Sequence, residues 1–165
     1  MNSTPQTPWR NPDLRGTWEI NHIQDASAFL RFVLASAPAG SQWIVEMASD
    51  RATFDRLAGI GRLIEETRWL GLLPQKRYLV IALTAEVQQE LCALLANIDI
   101  GAALIEHHVY RDEELVMCSY DNLSCCWLSK AISRETLTDA ARTQGFRFDD
   151  PDAGASSSRS SRTPP

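Results

Sequence analysis

Apolar and polar positions recur with two different periods along this chain, and the switches between them mark its elements. Alternation at 18–22 predicts a short strand. Phe29, Phe32 and Val33 then recur at helical spacing behind Asp25, whose carboxylate suits the start of a helix over 26–36. Pro38 and Gly40 stop that helix, and 42–47 reads as a second strand. Ser49 or Asp50 starts a helix that runs to Leu57 and ends at Gly59 and Gly61. Residues 62–73 carry both periods: Leu63, Thr67 and Leu70 suit a helix, and a strand or irregular segment stays open. A buried strand at 78–83 is followed by Thr84, which caps a helix with Val87, Leu91, Leu94 and Leu95 on one stripe.

The last third changes character. Segments 102–110 and 114–120 read as two strands around the polar Arg111–Glu113 turn, and 125–128 as a third. Ser133 caps a final helix over 134–144, with Leu137, Ala140 and Ala141 inward and Gly145 at its end. Helices that alternate with early strands, followed by consecutive late ones, imply an α/β chain of α+β character. The expected core is a mixed sheet of five to six strands covered by helices on one or both faces, with an antiparallel hairpin in the C-terminal third.

Composition bounds the picture. The chain has 165 residues, 44% hydrophobic and 22% charged, which fits one domain with a real core. Residues 1–13 read as a flexible leader, 14–148 as the globular domain, and 149–165 as a disordered tail rich in Ser, Arg and Pro. That tail is a solubilising segment or, through its two arginines, a docking or phosphorylation site. The formal net charge of −5 argues against a nucleic-acid partner, because phosphate contacts need surplus Lys and Arg. No apolar run reaches the roughly 18–20 residues of a membrane span. No basic, apolar leader suggests export, so the four cysteines are expected as free thiols in the cytoplasm.

Candidate chemistry is sparse. Gly59-Ile60-Gly61 lacks the third glycine of a dinucleotide loop, and no nucleophile elbow or His-Glu-x-x-His occurs; no cofactor is implied. The hairpin is the informative segment. If Asp112 and Glu113 form a two-residue loop, Val109 faces Val116, His107 faces Cys118 and Ile105 faces Tyr120 on the more apolar side. Tyr110/Leu115, His108/Met117 and Glu106/Ser119 then share the other side. Cys118, His107 and Asp121 together are the raw material of a cysteine nucleophile, since an imidazole lowers a thiol pKa and a carboxylate orients the imidazole. The alternative is core packing, because cysteine is among the most buried residue types. A zinc site from Cys118, Cys125, Cys126 and a histidine has the wrong spacing, and neighbours on a strand point opposite ways, so no metal is expected. Acidic runs at Glu65-Glu66, Asp112-Glu113-Glu114 and Asp149-Asp150-Asp152 read as solvated turns and faces; the alternative is that one of them meets a basic partner and steers its approach. Among five tryptophans, Trp69 in the ambiguous segment is the candidate exposed anchor.

The run 107–129, His-His-Val-Tyr-Arg-Asp-Glu-Glu-Leu-Val-Met-Cys-Ser-Tyr-Asp-Asn-Leu-Ser-Cys-Cys-Trp-Leu-Ser, resembles small bacterial proteins of the toxin-immunity type. In those, a strand, a turn and a second strand ending in Tyr-Asp-Asn precede a short strand and a terminal helix. The resemblance spans 103–145, with Leu123 where that pattern has an aromatic. It implies a bound protein toxin and no catalysis. The expected function is therefore a non-enzymatic binding module, an immunity- or antitoxin-like inhibitor meeting a basic toxin domain. Its contact residues are expected at Glu65, Glu66, Trp69, Asp112, Glu113, Glu114, Tyr120 and Asp121. The alternatives are a small enzyme using Cys118 and His107, and an adaptor subunit of a larger assembly.

Overall fold

The helix starts follow from their capping side chains. In the computed structural model, which describes residues 12–47, 51–66, 76–98, 100 and 104–153, the Ala28 N–H donates to the Asp25 carboxylate at 2.8 Å and opens α1 (Ala26–Ser36). Thr84 accepts from the Val87 N–H at the start of α3 (Ala85–Leu95), and Ser133 from the Thr136 N–H at the start of α4 (Arg134–Gln144). Each cap satisfies one of the donors that a first helical turn leaves without a partner. The C-terminus of α1 is closed from outside: the Gln88 side chain on α3 donates to the carbonyls of Leu34 and Ala37 at 2.7 and 3.1 Å. The short α2 (Arg51–Ala58) buries Leu57.

The strands are β1 (Thr17–Asn21), β2 (Gln42–Met47), β3 (Arg62–Glu66), β4 (Lys76–Ala82), β5 (Leu104–Arg111), β6 (Glu114–Tyr120), β7 (Cys125–Ser129) and β8 (Arg147–Asp149). They form one sheet in the order β3-β4-β2-β5-β6-β7-β1-β8, and every neighbouring pair is antiparallel. The α+β class stands, but the sheet is larger than five to six strands and is not mixed. The reason lies in the crossovers. The four described helices link strands that are not neighbours: β1 and β2 have three strands between them, and β2/β3, β4/β5 and β7/β8 have one each. Another strand fills each gap in the opposite sense, so a β-α-β rhythm in sequence yields no parallel ladder.

Side chains alternate across the sheet, and the helices cover one face. Phe29, Leu30, Val33 and Leu34 of α1, Leu57, Leu91, Leu95 and Leu137 pack on Trp18, Ile20, Trp43, Val45, Leu79, Ile81, Val109, Met117 and Leu128 as one core. Phe29 and Phe146 meet edge to face at 5.1 Å. The opposite face holds a smaller cluster of Ile44, Tyr78, Val80 and Tyr110, with no helical residue among those described. No described helix is long and apolar enough to cross a membrane.

Two segments differ from expectation. Residues 62–66 form β3, held as a strand by its pairing with β4 rather than as a helix. The chain stays ordered past 148: Asp149 completes β8, and Lys130 Nζ donates to Asp150 and Asp152, each at 2.6 Å. The acidic run 149–152, assigned to the tail, is thus tied to the domain by Lys130. Residues 1–11, 154–165 and Trp69 lie outside the described residues.

Candidate functional site

The two-residue loop at Asp112 and Glu113 forms, with Arg111 opposite Glu114 and Tyr110 opposite Leu115. One pair further in, the ladder slips. Val109 faces Met117, so Val116 is an extra residue on β6, a β-bulge. The slip changes every later partner. His107 faces Ser119, and His108 faces Cys118. The expected pairs His107/Cys118, His108/Met117 and Glu106/Ser119 are therefore corrected, because one inserted residue reverses which side of a strand each later side chain takes.

His107 and Cys118 consequently lie on opposite faces of the sheet. His107 is under the helices, fully buried, with its ring parallel to that of Trp43 at 5.9 Å. Neither ring nitrogen has a hydrogen-bond partner among the described residues. Burial, aided by the neighbouring His108, pushes its pKa down from 6.5 to about 3. It is a neutral core ring. Cys118 is fully buried on the helix-free face, and burial pushes its thiol up to about 12. A thiol held that high supplies almost no thiolate at neutral pH. Asp121 stands beyond the ladder, exposed, with φ 49°. Cys118, His107 and Asp121 are not brought together as a catalytic set.

The register instead builds a continuous row across the helix-free face. From one edge to the other it reads Arg62, Val80, Ile44, His108, Cys118, Trp127, Glu19 and Asp149. The row beside it places Ile64, Tyr78, Glu46 and Glu106 in line, with Tyr120 opposite Cys125 further along. The left and centre of this face are closed: Ile44, Tyr78, Val80 and Tyr110 are buried. The β6–β7 side is more open. Tyr120 and Trp127 are half-buried and meet edge to face at 6.2 Å, while His108 meets Tyr120 at 5.5 Å. His108 Nε2 lies 3.8 Å from Glu106 Oε2. Burial, then Cys118, Glu106 and Tyr78 nearby, raise the Tyr120 hydroxyl to about 12, so it stays a neutral donor.

The other expected contact residues divide between two ends of the sheet. Asp112, Glu113 and Glu114 are exposed at the hairpin tip. Tyr120 and Asp121 sit at the opposite end, where the Asn122 N–H donates to the Ile105 carbonyl at 3.0 Å. Glu65 and Glu66, at the end of β3, share that second end but are four strands from β6, roughly 19 Å away. One flat partner can cover Tyr120 and Asp121 together; the hairpin tip belongs to another surface. The structure adds Trp127, Glu19 and Glu106 to the residues around Tyr120 on this face. The signal for Trp127 was alternation: with Cys126 and Leu128 in the covered core, the residue between them must point the other way.

Among the described residues no three His, Cys, Asp or Glu side chains gather as metal ligands. A shallow groove of about 430 Å³ runs beside β8, lined by Asn21, His22, Ala141, Phe146 and the three β8 residues. Comparison with family models, curated proteins and solved structures yields no match for this chain.

Proposed function

We propose that this chain is a non-enzymatic protein-binding module, an immunity- or antitoxin-like inhibitor that acts in the cytoplasm on a basic bacterial toxin domain. One observation carries the reading. Trp127 and Tyr120 stand half-exposed and in contact on a sheet face that no described helix covers, beside Glu106 and with Glu19 next to Trp127 on the neighbouring strand. Large rigid aromatics within a polar, acidic surround are the usual anchors of protein interfaces. The net charge of −5 favours approach by a basic partner. The burial of Cys118, with its raised thiol, counts against the alternative of an enzyme using Cys118 and His107.

The test is affinity capture from extracts of the native host, with the retained protein identified by mass spectrometry and its binding measured. The expected partner is basic. Trp127→Ala should weaken it at least about 30-fold, equivalent to roughly 2 kcal/mol. Glu19→Gln should slow association and flatten its salt dependence. The same partner, expressed alone, should harm cells that co-expression of this chain protects. A partner bound equally well by Trp127→Ala, or no toxicity to neutralise, would sink the reading.

A further inference from the structure

The β8 edge has a charge pattern that is complementary to itself. On its inner side β8 pairs with β1, through Glu19 with Asp149, Ile20 with Phe148 and Asn21 with Arg147. On its outer side no strand lies beside it among the described residues. Arg147 and Asp149 are exposed and share the helix-free side, while Phe148 is half-buried on the helix side, edge to face with Trp18 at 5.7 Å. The strand thus runs from a cation, through an aromatic, to an anion.

We infer that two copies of this chain join by pairing their β8 strands antiparallel about a two-fold axis at Phe148, which continues the sheet from one copy into the other. In that register Arg147 of each copy lies opposite Asp149 of the other, twice over, and Phe148 lies opposite Phe148. Directly opposed unlike charges and aromatic pairs both favour a cross-strand pairing. A parallel in-register pairing sets Arg147 against Arg147 and Asp149 against Asp149, so the charges select the orientation as well as the partner. A two-fold interface needs one self-complementary patch, and this strand is one.

One further feature keeps the edge open. Lys130 holds Asp150 and Asp152, and its own N–H donates to the Gly16 carbonyl at the start of β1. The chain leaving β8 is thereby drawn inward over β1, away from the outer edge. The residues after Asp149 of each copy therefore stay over that copy's own β1 and leave the outer side of β8 to the other copy. A three-residue ladder is far smaller than the roughly 1,600 Å² of a standard interface, so the dimer is weak and transient, with a Kd on the order of 0.1–1 mM.

Sedimentation equilibrium of the full chain from micromolar to about 1 mM tests this. The wild type should move from monomer toward dimer. Arg147→Asp alone sets Asp against Asp149, and Asp149→Arg alone sets Arg against Arg147, so each should stay monomeric. An equimolar mixture of these two variants should associate, because each supplies the charges that the other lacks. The doubly swapped chain should associate by itself. Since both residues are exposed, thermal melts should show folded variants, and loss of fold is not rescued by mixing. A wild type that stays monomeric at 1 mM, single variants that associate as it does, or a mixture that stays monomeric would each overturn the inference.

Discussion

Acid should unfold this protein through His107. The ring is fully buried against Trp43, without a hydrogen-bond partner among the described residues, and its folded pKa sits at about 3 against an ordinary 6.5. Between those values the unfolded chain binds a proton that the folded chain refuses. Stability is therefore intact above pH 6.5 and falls as the pH drops through it, by roughly 1.4 kcal/mol per pH unit. At pH 5 the loss is about 2 kcal/mol, a figure that requires only that the folded imidazole stay neutral there. Because the group is wholly inside, solvent screening does not reduce it. Urea unfolding at pH 7, 6 and 5, followed by tryptophan fluorescence, should show the midpoint falling by about 1 M at an ordinary denaturant slope. His107→Phe keeps a flat ring on Trp43 and removes the titration. Its loss between pH 7 and pH 5 should be smaller than that of the wild type by about 2 kcal/mol. If both proteins lose the same stability over that range, His107 accepts its proton in the fold, and the burial argument is wrong.

Other predictions address packing and access. Iodoacetamide should label the exposed Cys125 in the native protein within minutes and leave Cys118 untouched until the chain unfolds, as peptide mass spectrometry would show. Phe29→Ala removes a fully buried ring that meets Phe146, and should cost about 3–5 kcal/mol in chemical denaturation. Gly145 ends α4 at φ 69°, and a Cβ there would meet the Gln24 side chain at 2.5 Å. Gly145→Ala should cost roughly 1–2 kcal/mol, read as a lower melting temperature, while Gly59→Ala, whose nearest contact is an ordinary 3.5 Å, should cost less.

Much of the fold could be read locally. Asp25, Thr84 and Ser133 each precede an apolar stripe at helical spacing, and each caps a helix. β8 is not legible in the sequence, because three residues are too few to show a period. Residues 62–66 are ambiguous in sequence because Leu63, with Thr67 and Leu70, also suits a helix, and pairing with β4 decides for a strand. The candidate site was legible in part. Tyr120 and Asp121 follow from the hairpin, but the contact of Trp127 with Tyr120 runs between strands rather than along one, and no local pattern marks it.

The sequence by itself determined what depends on near neighbours: the caps, the helical stripes, the alternating strands and a turn between the two hairpin strands. Only the tertiary structure decided which strands lie side by side, and hence that the sheet is antiparallel throughout, because helical links say nothing about the strand that fills the gap between their ends. It also decided on which face the chemistry falls. One extra residue at Val116 separates His107 from Cys118 and moves Cys118 into line with His108 and Trp127. Such a bulge is set by the packing of two strands against a common core, and a strand pattern with a period of two cannot announce where it will be broken.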